Sequence, residues 1–108
     1  MKDKRHKIKE IDLLKPTGCI IPKSIYDKKS DIKWLYRDTP INETDSGWRI
    51  FGTKEDKDVI IIDIDILISI EPLFAKVKDS PIDTELELKE DEAGKYFINV
   101  NTNERLWF

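Results

Sequence analysis

Two aromatic–arginine pairs, Tyr36-Arg37 and Trp48-Arg49, flank a polar stretch that ends at Asp45-Ser46-Gly47. Tyr, Trp and Arg each join a large apolar surface to a directed hydrogen-bond donor, so they dominate recognition surfaces. The chemistry they point to is binding, with Tyr36, Arg37, Asp45, Ser46, Trp48 and Arg49 as the candidate residues. The same residues also admit a structural role. The aromatic rings would then fill the core, and Asp38 or Asp45 would pair with an arginine to order the loop.

The residue types needed for catalysis are sparse. A Cys–His nucleophilic pair would have to join Cys19 to His6, the single cysteine and the single histidine. His6 lies in a basic tail, and Cys19 lies in an apolar run where thiols are inert. One cysteine and one histidine cannot build a zinc site. Asp56, Asp58, Asp63 and Asp65 suggest calcium, but Ile60 and Ile61 stand where an EF-hand needs an oxygen ligand and a glycine. The four glycines are scattered, so no phosphate-cradling loop is formed. The expectation is a non-enzymatic protein with no catalytic residues, no metal and no cofactor.

Charge narrows the partner. The net charge of −3 gives no basic field for nucleic acid, and Asp38, Glu43 and Asp45 surround the aromatic–arginine segment. Nucleic acid is therefore not expected. Residues 2–10 are basic, with Lys2, Lys4, Arg5, Lys7 and Lys9, and read as a solvated terminal segment over 1–15. An acidic run follows Asp79. Its residues Glu85, Glu87, Glu90 and Asp91 form a second candidate interface, or else a charged strand face that keeps an edge soluble. No apolar run approaches membrane-spanning length, and the basic start lacks a signal-peptide h-region. With no disulfide possible, a cytoplasmic protein without membrane contact is expected.

The elements that must position these residues follow from periodicity. Ile8, Ile11 and Leu14 suggest a helical turn that Pro16 would stop. Residues 17–22 read as a buried strand containing Cys19. Residues 27–31 read as a polar turn. Ile32 to Arg37 alternates, with Ile32, Trp34 and Tyr36 on one face and Lys33, Leu35 and Arg37 on the other. A loop over 38–47 closes at Gly47, and Trp48 to Phe51 forms the next strand. From Ile62 to Ile70 isoleucine falls on every second position, a strand pattern. Ile61, Ile64, Leu67 and Ile68 also sit at helical spacing, with Asp63 or Asp65 as a cap. Glu71-Pro72 opens a helix with Ile70, Leu73, Phe74 and Val77 on its apolar stripe, ended by Asp79-Ser80-Pro81. Leu86 and Leu88 oppose Glu85 and Glu87, residues 90–94 turn, and Tyr96, Ile98 and Val100 alternate in a returning strand. Leu106-Trp107-Phe108 should pack back on the sheet. The expected fold is a single α+β domain over 16–108, with a mostly antiparallel sheet and one or two short helices.

The segment from Tyr36 to Phe51 resembles the core motif of a family of small bacterial proteins, predicted immunity proteins of polymorphic toxin systems (number thirty-three in that series). The matching residues are Tyr36, Arg37, Asp38 and Pro40, then Asp45, Ser46, Gly47, Trp48, Arg49 and Phe51. Gly18 to Ile21 resembles the family's first strand. Ile62 through Pro72, and on to Pro81, resembles its middle part, although Ile62 stands where an aromatic is usual. The resemblance covers about residues 17–88. It implies a strand to about Asp63 followed by a short helix, and it implies a protein that neutralises a cognate toxin by direct binding. The alternative is a small-ligand or peptide-binding module that uses the aromatic–arginine loop.

Overall fold

The computed structural model describes residues 16–106. The helical turn expected before Pro16, and Trp107 and Phe108, lie outside that range. Seven strands form one sheet: β1 (Gly18–Pro22), β2 (Ile32–Arg37), β3 (Asp45–Gly52), β4 (Val59–Asp63), β5 (Glu85–Asp91), β6 (Gly94–Asn99) and β7 (Arg105–Leu106). Their spatial order is β4-β1-β3-β2-β5-β6-β7. β1 runs parallel to β3, and every other pairing is antiparallel. The α+β expectation with a mostly antiparallel sheet holds.

Among the described residues the helical structure packs on one face of the sheet. Helix α1 (Lys23–Tyr26) follows β1 directly and plugs Ile25 into the core. Four residues leave no periodicity, which is why the sequence does not announce this helix. Helix α2 (Ile64–Ile70) follows β4 without a loop. The alternating isoleucines from Ile62 admit a strand, but the Asp63 carboxylate accepts a hydrogen bond from the Asp65 N–H at 2.9 Å and starts the helix. Leu67 is then fully buried, with Ile64, Ile68 and Ile70 packed beside it. The helix expected from Glu71 is a single 3-10 turn, Pro72–Lys76. Its bonds run from Phe74 N to Glu71 O and from Val77 N to Phe74 O, three residues apart. The apolar stripe is real, but three residues per turn suffice to bury Phe74 and Val77.

The core lies on that one face: Cys19, Ile21, Leu35, Trp48, Leu86 and Phe97 meet Leu67, Phe74 and Val77. The alternation in β2 needs a correction. Ile32 pairs with Gly52 but Trp34 pairs with Phe51, so Lys33 is an extra residue that interrupts the register. Beyond this bulge the parity inverts. Ile32 and Leu35 are both buried, while Trp34 turns to the opposite face and stays 42% exposed.

The loop between β2 and β3 is held by its own polar groups. Asp38 N donates to Gly47 O at 2.8 Å, and Gly18 N donates to Thr44 O at 2.8 Å. Gly47 has φ +92, and a Cβ there would stand 2.1 Å from the Asp38 carbonyl oxygen. Gly47→Ala should therefore cost about 2 kcal/mol or more in urea unfolding. An alanine variant as stable as the parent would show that this close approach is unimportant.

Candidate functional site

The four aromatic and arginine residues form two cross-strand pairs, one on each face. Tyr36 lies opposite Arg49, and Arg37 lies opposite Trp48. Adjacent residues of a strand point to opposite faces, so each sequence pair is split by the sheet.

Trp48 is fully buried. Its ring meets Phe74 edge-on at 5.1 Å, and its Nε1 donates to Lys78 O at 2.9 Å. Arg37 lies 5.8 Å from the Trp48 ring centroid, donating Nε to Ser46 O at 3.0 Å and a second N–H to Ser80 O at 2.7 Å. These bonds tie the turn after the 3-10 segment to β2 and β3. Ser46 is buried too: its hydroxyl donates to Gly18 O at 2.6 Å and accepts from Trp48 N at 3.1 Å. Arg37, Ser46 and Trp48 thus hold elements together. The Cys19 thiol lies 3.5 Å from the Ser46 hydroxyl, and burial pushes its pKa up to about 11. A thiol so protonated is a poor nucleophile.

On the other face, Arg49 clamps Asp45 through two bonds of 2.8 and 2.7 Å. Asp45 also accepts from the N–H groups of Ile41 and Gly47, both at 2.9 Å. The guanidinium, joined by these amides, holds the Asp45 carboxyl far below the usual range, although burial opposes it. Asp45 in turn raises the Arg49 pKa. Tyr36 donates its hydroxyl to Asp83 at 2.8 Å, which raises its own pKa.

Among the described residues no helix packs on this second face. Register aligns Ile61, Ile20, Arg49, Tyr36 and Glu85 in one row across five strands. A parallel row runs Phe51, Trp34, Glu87, Ile98. Trp34, Phe51, Val59 and Ile61 are all exposed large apolar side chains, Ile61 by 75%. Glu87 is bound by Lys33 at 2.8 Å, which lowers its pKa. Glu85 shares this face with Glu87, whereas Glu90 and Asp91 lie at the far end of the β5–β6 hairpin. The acidic residues singled out from sequence are therefore divided between two places.

Trp34, Phe51 and Ile61 were absent from the sequence-derived binding set. The signal available for them was the alternation of β2 and β3, and the bulge at Lys33 obscured it. Beside Trp34 and Phe51 lies a recess of about 530 Å³, lined also by Pro22, Lys54, Glu55, Asp56 and Glu85. A cleft of similar volume, about 540 Å³, lies on the covered side near Ser69, Glu71, Leu88 and Lys95. There the buried Glu71 is satisfied by Lys95 at 2.9 Å and by Leu73 N at 3.1 Å, so it is a joint between β6 and the 3-10 turn. Among the described residues no His, Cys, Asp and Glu side chains group into a metal site, and no helix is long and apolar enough to cross a membrane.

The molecule is thus a small α+β protein whose described helices lie on one side of its sheet. Its residues 19–98 match the family model described as Immunity protein Imm33 domain. The chain belongs to this immunity-protein family, and the match runs on to residue 98, past the stretch to about residue 88 that carried the resemblance. No curated protein and no solved structure matches the chain.

Proposed function

We propose that this protein is a non-catalytic immunity protein of a bacterial polymorphic toxin system, acting in the cytoplasm by binding its cognate toxin directly. Family membership sets the class. The observation that carries the binding mode is the sheet face turned away from the described helices, where Trp34, Phe51, Val59 and Ile61 leave large apolar surface in contact with water. Apolar groups grouped in this way mark interaction sites, whereas scattered ones do not. The arginines speak against the alternative of a small-ligand or peptide-binding module that uses the aromatic–arginine loop. Arg37 is engaged by backbone carbonyls and Arg49 by Asp45, so both already hold partners within the protein.

The test is co-expression with the toxin encoded at the same locus. Cells carrying both genes should grow as well as cells with neither, and the purified toxin should bind this protein in a stable complex. Equal killing with and without this protein would defeat the reading.

A further inference from the structure

The sheet face turned away from the described helices carries both an exposed aromatic pair and a distinct set of charges. At its centre the charges are mostly neutralised in pairs: Arg49 with Asp45, and Lys33 with Glu87. What remains around the Trp34–Phe51 pair is acidic. Glu55, Asp56 and Glu85 line the recess against Lys54 alone. Glu85 makes no side-chain hydrogen bond or ion pair among the described residues.

We propose that the toxin docks here with a basic loop, seating an apolar side chain against Trp34 and Phe51 while a Lys or Arg beside it meets Glu85 and Glu55. This inference rests on the immunity reading given above. Charge complementarity selects the occupant. A second copy of this chain would bring Glu55 and Glu85 against their own equivalents, and a nucleic acid or anionic membrane would meet the same carboxylates. A basic protein surface gains from both parts of the patch. The aromatic pair supplies a desolvated anchor, and the acidic rim steers the encounter. Tyr36, held by Asp83, and Arg49, held by Asp45, present fixed polar groups beside the anchor, so little ordering entropy is lost on docking.

The experiment measures binding kinetics of the full chain with the toxin domain encoded at the same locus. Trp34→Ala and Phe51→Ala should each weaken the equilibrium by about thirtyfold or more, mainly through faster dissociation. Glu85→Lys should slow association by about tenfold and flatten its salt dependence. Ile66→Ala, at an exposed position on α2, should bind as the parent does. All variants should keep the parent melting temperature within a few degrees. If Trp34→Ala loses stability, Glu85→Lys still decides through the association rate. Normal binding by the folded face variants would overturn this surface while leaving the immunity reading intact. A parent dimer that Trp34→Ala splits without loss of toxin binding would likewise overturn it, in favour of self-association. A parent protein that does not bind the toxin would overturn both.

Discussion

Trp48→Ala is expected to lower unfolding free energy by about 3–5 kcal/mol, the range for removing a large buried aromatic. Three losses combine. The cavity left by a fully buried indole cannot collapse easily, because β3 lies inside the sheet between β1 and β2. The edge-on contact with Phe74 disappears. Lys78 O loses its Nε1 donor, and Arg37 loses the ring beneath it. For a domain of this size the melting temperature should fall by about 15 °C or more. Trp48→Phe separates the terms. It keeps most of the packing and loses the indole donor, so about 1–2 kcal/mol is expected. Thermal and urea unfolding followed by circular dichroism would check both. An alanine variant that melts with the parent but no longer binds a partner would instead make Trp48 an interface residue.

Asp45→Ala comes next, at about 3 kcal/mol, the lower end for breaking a buried ion pair. Asp45 is 7% exposed, and its carboxylate serves Arg49, Ile41 N and Gly47 N together. Its removal leaves the Arg49 guanidinium without its partner and frees the loop that Asp45 orders. In a double-mutant cycle with Arg49→Ala, the two costs should be less than additive, since either change breaks the same pair. The pH dependence has a defined sign. The folded protein holds Asp45 far below its unfolded pKa of about 3.9, so protons bind the unfolded chain more readily. The stabilisation is complete above about pH 5 and is lost progressively as pH falls toward the folded value. Glu87 and Asp56 are also lowered and add to the same acid limb. The diagnostic is therefore a difference: between pH 5 and 2 the parent should lose more stability than Asp45→Asn. Parallel acid profiles for the two would show that the pair contributes nothing.

Much of the fold was legible because alternation survives in most strands. β2, β5 and β6 fall where apolar and polar residues take turns, and the cap at Asp63 and the proline after Glu71 mark their elements correctly. What could not be read was parity across an inserted residue. Lys33 looks like any other polar strand position, yet as a bulge it sends Trp34 to the opposite face from the one its size suggests. The site suffered from a related ambiguity. A Tyr-Arg and a Trp-Arg pair look like one recognition cluster in sequence, but strand geometry sends one member of each pair to each face. Trp48 and Arg37 went inward and Tyr36 and Arg49 outward, and only the pairing register of β2 with β3 decides which. The alternating isoleucines from Ile62 posed the opposite difficulty. Local pattern favoured a strand, and tertiary burial of Leu67 favoured a helix.

The sequence separation of paired strands bears on the order of assembly. β2 and β3, and likewise β5 and β6, are neighbours in sequence, so each pair closes a short loop at small entropic cost. β1 reaches β3 only after the chain has passed through all of β2, and β4 has β1 as its sheet partner. β1 meets β3 across residues 23–44 and β4 meets β1 across 23–58, whereas β2 meets β5 only across 38–84, the longest loop closed by any of these pairings. Loop closure therefore favours a unit of β1 to β4, with Cys19, Ile21 and Trp48 in its core, to which the β5–β6 hairpin is added through β2. Trp34, Phe51 and Ile61 all belong to that first unit, so on this order the exposed apolar patch is in place before the acidic hairpin docks beside it.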